Sequence, residues 1–256
     1  MTRRIMIVLL MLYAVLTLYS IGSIALGGHL SAWLTPINTL AGFGFALLHA
    51  LQREGWRRTL CLLGSVIVVS LLFESVGVAT GWIYGPYHYT HLLGPLFLGL
   101  VPVLIPLAWF MTSYPSFVIA DRLLPAEWKR PGRLLAVAAV GGLVMTAWDL
   151  VMDPFMAAAG FWIWGTQGPY FGIPLQNFWG WWLTVFISLV LYLLIAGKAP
   201  HPASPRFDRL ALASYLVTVL GAISIALLTG LGGPALVGFF AVAPWLVTGW
   251  LRTTRE

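Results

Sequence analysis

Three acidic residues in strongly apolar sequence are the first candidates for chemistry. Glu74 lies near the end of one apolar run, and Asp149 and Asp153 lie at the end of another. A charged acid at mid-membrane depth costs about 2.5–3.5 kcal/mol on insertion scales, so such acids are functional candidates by default. The alternative for each is a protonated carboxyl that ties two helices together by hydrogen bonds.

The spacing of Asp149 and Asp153 predicts that they act as a pair. Four residues apart, they would share one face of a helix. Two neighbouring carboxylates oppose each other's ionisation, so one of them can keep its proton and act as a general acid. The other aspartate, or Glu74, would then orient water.

Aromatic residues follow both acidic segments in a repeated order. Glu74 and Asp153 are each followed by six residues and a glycine, and then by a Trp-Ile-aromatic-Gly sequence, which Phe161 separates from the glycine in the second copy. We expect these rings and their neighbours to bind substrate; the candidates are Trp82, Tyr84, Tyr87, His88, Tyr89, Trp109, Trp162 and Trp164. The alternative is an aromatic belt, because Trp and Tyr favour the headgroup level of a bilayer.

Composition predicts an integral membrane protein. Of 256 residues, 60% are hydrophobic and 9% charged, and the mean hydropathy is +0.90. The basic residues are spread among short loops and form no single basic face, which argues against a nucleic-acid partner. Cys61 is the one cysteine in the chain, so the sequence offers neither a disulfide framework nor a thiolate metal site.

Hydropathy predicts an all-α fold with about eight transmembrane helices in a single polytopic domain, residues 1–256. An apolar window of about 20 residues is long enough to cross a bilayer as a helix. The first window is kept as a span because no cleavage site for a signal peptide follows it. The windows fall near 5–26, 33–52, 59–80, 93–120, 134–152, 174–197, 208–230 and 233–251.

The distribution of charge predicts the orientation. With eight spans and a cytoplasmic N-terminus, all 14 Lys and Arg residues fall on the cytoplasmic side, as the positive-inside rule requires. Both termini are then cytoplasmic, and the protein lies in the cell membrane. Five acids accompany the basic residues, where we expect solvated or paired surface positions: Glu54, Asp121, Glu127, Asp208 and Glu256.

An internal repeat relates spans three and four to spans five and six. Pro102 precedes Trp109 by seven residues, and Pro174 precedes Trp181 by seven. Both copies begin on the same side of the membrane, so the repeat is parallel, and sites in such proteins often form where the repeats meet.

The remaining polar residues indicate weaker candidates. His29 and His49 are expected to be structural, and His88 and His91 lack a third ligand for a metal site. The Asp149 and Asp153 spacing also occurs in polyprenyl transferases. That reaction requires cations around a diphosphate, and the predicted outer side carries no Lys or Arg.

Several motifs resemble those of the membrane carotenoid biosynthesis family, which includes carotenoid 1,2-hydratases of the γ-carotene and bisanhydrobacterioruberin type. The resemblance covers roughly spans three to six. It rests on the segments Gly81-Trp82-Ile83-Tyr84-Gly85-Pro86-Tyr87-His88-Tyr89, Leu93-Gly94-Pro95, Val101-Pro102, Ile105-Pro106-Leu107-Ala108-Trp109 and Asp149-Leu150-Val151-Met152-Asp153-Pro154.

The resemblance implies an enzyme that adds water to the C-1,2 double bond of an acyclic carotenoid ψ-end and leaves a tertiary alcohol. It implies a carotenoid substrate similar to lycopene or γ-carotene, no organic cofactor, and other carotenoid enzymes as candidate partners. An embedded acid would supply the proton, and aromatic faces would stabilise the cation. The alternatives are a carotenoid cyclase or isomerase, a proton-coupled transporter or lipid-binding channel, and a membrane scaffold.

Overall fold

The computed structural model describes residues 2–29, 33–197 and 204–254. Lys198, Arg255 and Glu256 lie outside the described residues. These residues form eight helices, namely α1 (Thr2–Ala25), α2 (Leu34–Glu54), α3 (Trp56–Thr80), α4 (Leu104–Leu123), α5 (Arg130–Ala158), α6 (Leu175–Ala196), α7 (Pro205–Leu228) and α8 (Gly232–Thr254). Between helices lie four short strands, β1 (Tyr87–Tyr89), β2 (Leu96–Phe97), β3 (Val101–Pro102) and β4 (Trp162–Trp164), and a 3₁₀ turn at His91–Leu93.

The helical prediction is confirmed. Among the described residues, seven helices are long and apolar enough to cross a membrane, and α4 is the exception. Helix α4 carries Thr112, Ser113 and Ser116 on buried positions, which lowers its hydropathy. It packs against α2, α3, α5, α7 and α8, so protein rather than lipid surrounds much of it. The chain is thus an integral membrane protein with α4 near its centre.

The predicted start of the fourth span was wrong. Helix α4 begins at Leu104 rather than at residue 93. The apolar residues before it form the β2–β3 hairpin, because Gly94 and Gly99 adopt positive φ angles of 85° and 70° that interrupt a helix. Hydropathy detects apolar residues but not this interruption.

Helices α3 and α5 both end next to a glycine with a positive φ angle. Gly81 follows α3 with φ 73°, and Gly160 follows α5 with φ 78°. Both are left-handed positions that glycine adopts without a Cβ penalty. Each glycine lies seven residues after an acid, Glu74 or Asp153, so the repeated spacing places each carboxyl within the last two turns of its helix.

The packing has the symmetry that a parallel repeat requires. Helix α3 packs against α6 and α4 against α5, so exchanging the two helix pairs leaves the contacts equivalent. Strands β1 and β4 pair antiparallel about His88 and Ile163, as a two-fold axis between them would demand. Trp109 and Trp181, which the repeat makes equivalent, stack with ring centroids 4.3 Å apart.

One part of the predicted repeat alignment was wrong. We expected Trp82-Ile83-Tyr84 to correspond to Trp162-Ile163-Trp164, but 82–84 form a turn and the strand equivalent to β4 is Tyr87–Tyr89. The chain between Gly81 and β1 is longer than that between Gly160 and β4, because an extra turn intervenes.

At the other end of the bundle, a buried ion network joins the helices. Arg53, whose side chain is 3% exposed, donates to Asp121 at 2.6 Å and to Asp208 at 3.0 Å, and it also contacts Glu54. Glu54 and Asp208 are buried, so the expectation of pairing was right and that of a surface position was wrong. Further pairs are Arg58–Glu54 at 2.7 Å, Arg122–Asp208 at 2.6 Å and Arg133–Asp121 at 2.8 Å.

Replacing Arg53 by Met should destabilise the fold by about 3–5 kcal/mol, because it leaves buried carboxylates without their shared partner. The control is Arg57→Met, since Arg57 is exposed and surface substitutions usually change stability by about 0.5 kcal/mol or less. Thermal unfolding of both variants in detergent measures the difference. Equal melting temperatures for Arg53→Met and the parent protein would contradict the structural role of the network.

Candidate active site

A two-stranded ribbon covers the end of the bundle that lies away from the ion network. Strand β1 pairs with β4, and the ladder extends through Gly165 N–H to Pro86 O at 2.7 Å and Thr90 N–H to Phe161 O at 3.0 Å. Side chains alternate between the faces of a strand. The ribbon therefore presents four rings to one face and His88 and Ile163 to the exposed face; the four rings are Tyr87, Tyr89, Trp162 and Trp164.

The first strand of the ribbon holds Glu74. The hydroxyls of Tyr87 and Tyr89 both donate to Glu74 Oε2, the latter at 2.9 Å, and Trp109 Nε1 donates to Oε1 at 2.9 Å. Burial, reinforced by the Glu74 charge, raises the pKa of Tyr87 and of Tyr89 well above the ordinary value, so both phenols remain donors. Three donors and no acceptor suit an ionised carboxylate.

The second strand holds Asp153 in a related way. Trp162 Nε1 donates to Asp153 Oδ1 at 2.8 Å and Trp164 Nε1 to the same oxygen at 3.3 Å. The Tyr-X-Tyr sequence of β1 thus donates hydrogen bonds to Glu74, and the Trp-X-Trp sequence of β4 donates to Asp153. The internal repeat relates the two strands.

Asn177, near the start of α6, joins the two aspartates. Its Nδ2 donates to Asp149 Oδ2 at 2.9 Å and to Asp153 Oδ2 at 2.5 Å. Both carboxyls are buried, and none of the ion pairs of the described residues includes them. Two carboxyl groups on one amide nitrogen, without a cation, cannot both be ionised at low cost. The pair therefore holds a proton.

Pro154 gives the aspartate helix a further fixed contact. Proline has no N–H, so the carbonyl of Leu150 loses its helical partner. The Tyr170 hydroxyl donates to this carbonyl at 2.8 Å, and burial raises the pKa of Tyr170 to about 12, which keeps the donor protonated. The segment between β4 and α6 is in this way attached to α5 beside the aspartates.

The acids and rings surround one cavity of about 190 Å³. A single bound water needs only about 10–15 Å³ of such space. Glu74 and Asp153 line it together with Met111, Met145 and Met152. Asp149 is fully buried and does not belong to the lining, so it lies behind Asp153. The cavity combines two acids with a mainly apolar lining that suits a long hydrocarbon.

The structure brings most of the predicted residues together. The cavity is lined by Glu74, Asp153, Tyr84, Tyr87, Tyr89, Trp109, Trp162 and Trp164. The structure does not place Trp82 and His88 in the cavity lining, because both side chains point away from the cavity. Trp82 is 82% exposed on the turn after Gly81, which fits the aromatic-belt alternative, and His88 faces outward because it alternates with two inward tyrosines.

Sequence reasoning missed Asn177, which contacts both aspartates. The sequence does contain a sign of this role, because an asparagine three residues after Pro174 in an apolar helix is a buried polar group that needs hydrogen-bond partners. The histidines among the described residues behave as structural groups or lie outside the cavity. His49 Nδ1 is 2.6 Å from Tyr114 Oη, and within the described ranges no cluster of three His, Cys, Asp or Glu residues is arranged to hold a metal ion.

Comparison with known proteins adds an independent finding. A family model described as carotenoid biosynthesis protein matches residues 34–244. Over 137 residues the chain is 36% identical to the bisanhydrobacterioruberin hydratase of Haloarcula japonica. The matched part is 53% of this chain and 45% of that protein, so the chain spans less than half the length of this curated relative. No solved structure matches the chain.

Gly180→Ala should disturb the site through Tyr84. A Cβ at Gly180 would lie 2.5 Å from Tyr84 Cδ1 and 2.6 Å from Ile83 O, and overpacking of this kind costs about 1–3 kcal/mol. The matched control is Gly64→Ala, where a Cβ meets nothing within 4 Å. Thermal unfolding in detergent should show a lower midpoint for Gly180→Ala alone, and equal midpoints would contradict the close packing of Tyr84.

Proposed function

Because the chain belongs to the carotenoid biosynthesis protein family, we propose that it is a carotenoid hydratase. It adds water across the C-1,2 double bond of an acyclic ψ-end group and produces a tertiary alcohol. The observation that carries the proposal is an apolar cavity lined by two buried acids and a set of aromatic rings, with a third acid directly behind. The hydratase name of the Haloarcula japonica relative agrees with this chemistry.

Protonation of the alkene is the first step. Asp153 is the member of the aspartate pair that lines the cavity, so it donates the proton to C2. Two indole N–H groups and Asn177 fix its carboxyl and stabilise the negative charge that remains. In the resting pair the proton lies on Asp149, which accepts one hydrogen bond and whose Oδ1 has no partner among the described residues, and it passes to Asp153 when the alkene is protonated.

A tertiary cation then forms at C1. The faces of Tyr87, Tyr89, Trp162 and Trp164 stabilise it, and the ionised Glu74 adds the attraction of its negative charge. Water attacks C1, and the oxonium that results returns a proton to the aspartate pair. One water is consumed, the acid is regenerated, and no electron is transferred.

The apolar part of the cavity favours a long hydrocarbon substrate. Its methionine side chains are flexible and polarizable, so they adapt to an extended chain. Lycopene and γ-carotene have the required acyclic end, and we propose substrates of this kind. Other enzymes of carotenoid synthesis are proposed partners, because they would supply and remove such apolar molecules within the same bilayer.

Asp153→Asn should abolish alcohol formation in a host that accumulates lycopene, since removing a general acid typically costs about 10²- to 10⁴-fold in rate. Asp149→Asn should reduce it less, because Asp149 acts through the pair. Mass spectrometry of the pigments measures the product, which is heavier than lycopene by one water. The matched control is Glu127→Gln, an exposed acid.

Two results would contradict this assignment. Wild-type alcohol levels in the Asp153→Asn variant would show that Asp153 is not the proton donor. Unchanged pigments with the wild-type protein present in the membrane would contradict hydration of lycopene, whereas cyclised or isomerised pigments of unchanged mass would assign loss of a proton as the final step.

We propose that the protein lies in the cell membrane with both termini and the ion network on the cytoplasmic side, because the Lys and Arg residues are clustered there. In a Cys61→Ser background, a cysteine at exposed Glu127 should react with an impermeant maleimide only after the cytoplasmic face is opened. A cysteine at exposed Trp82 should react in intact cells. The reverse pattern would contradict this orientation.

A further inference from the structure

A second part of the cavity wall is polar, and nothing in the steps above uses it. Helix α1 contributes Tyr13, Thr17 and Ser20, α2 contributes Asn38, and α7 contributes Thr218. We call these five residues the polar wall. In α1, the polar wall supplies three of the four buried positions, while apolar side chains on the other faces are exposed. This helix is therefore polar toward the protein and apolar toward lipid.

Hydrogen bonds leave the polar wall rich in acceptors. Thr17 donates to Tyr13 O at 2.9 Å, Ser20 to Leu16 O at 3.0 Å and Thr218 to Ser214 O at 2.9 Å. These three hydroxyls have each used their one hydrogen on the backbone and keep oxygen lone pairs. The Tyr13 hydroxyl lies 2.9 Å from Thr218 Oγ1 and donates to it, because the Thr218 hydrogen is already used. Such a wall suits a ligand that donates O–H groups.

Asn38 marks the position where a donor is missing. Its Nδ2 donates to Thr17 Oγ1 at 3.3 Å, but its Oδ1 is buried and has no partner among the described residues. A buried carbonyl without a donor is costly, and bound water is a common reason why one persists. A purely structural link between α1 and α2 explains the hydrogen bond from Asn38 to Thr17. It does not explain why Asn38 Oδ1 has no partner in the described part of the chain.

We propose that the polar wall binds the water that captures the carotenoid cation. This inference rests on the proposed hydratase function. The O–H donor could in principle be water or a hydroxyl carried by a substrate. Hydration consumes one water per turnover in a cavity otherwise lined mainly by rings and apolar side chains, and water held by Asn38 and Thr17 would lie in the same cavity as the cation. Without it, the cation loses a proton and returns to an alkene.

The test uses membranes loaded with lycopene in H₂O and then transferred to D₂O. Lycopene has no hydroxyl, so an effect of the polar wall on it cannot come from a substrate hydroxyl. The variants are Asn38→Leu and Thr17→Val, which remove the polar groups and keep similar volumes. Thr248→Val is the control for the same change at an exposed position, and Thr17→Ser should restore activity because it keeps the hydroxyl.

We expect both variants to make roughly tenfold less alcohol, the effect of losing one or two hydrogen bonds to bound water. The recovered lycopene should gain deuterium at C2, because protonation continues and a proton is then lost. Wild-type alcohol levels in both variants would overturn the proposal. Loss of both alcohol and deuterium, with the protein present in the membrane, would also overturn it, since the polar wall would then serve protonation or folding.

The same experiment separates this proposal from the proposed function. A wild-type protein that makes no alcohol from any acyclic carotenoid removes the hydratase function, and the water proposal falls with it. A wild-type protein that makes alcohol, with variants equally active, removes the water proposal alone. An alcohol defect that appears only with a carotenoid already carrying a hydroxyl would assign the polar wall to the substrate instead.

Discussion

The structure depends on keeping three carboxyl groups buried with no cationic side chain of the described residues beside them. Neutral donors replace the cation: indole N–H groups, phenol hydroxyls and one amide. Each donor has to point at its carboxyl group. This requirement explains the ribbon of alternating aromatics, the glycine ends of α3 and α5, and the position of Asn177 at the start of α6. A positive side chain would satisfy the acids more simply, but it would also repel a carbocation.

The buried acids at the two ends of the bundle have different partners. At the ion network, Arg53 and its partners balance the buried acids, so that this end contributes to folding and offers no free acid. In the mechanism that we propose, the acids at the ribbon end keep a negative charge and a proton beside a mainly apolar cavity. A dry, fixed environment strengthens both effects because no solvent has to reorganise during the reaction. Helix α4 connects the two ends, with Trp109 near one and Asp121 near the other.

The sequence predicted the number of helices, the three acids and most of the rings, because membrane burial makes a lone acid conspicuous. It did not predict the strand register. Trp82 matched Trp162 in the local pattern, but the turn after Gly81 shifts the strand to Tyr87, and only pairing with β4 decides which rings face the acids. Asn177 and the burial of Glu54 and Asp208 were missed for a similar reason, since their partners lie far away in the chain.

We propose that acid catalysis adds the oxygen of water to a carotenoid. This is tested by supplying H₂¹⁸O to membranes that contain lycopene and the wild-type protein, under air, and locating the label by mass spectrometry. Acid-catalysed hydration predicts a tertiary alcohol whose oxygen carries the label. An alcohol whose oxygen comes from O₂ would contradict it, because acid-catalysed hydration uses no oxidant.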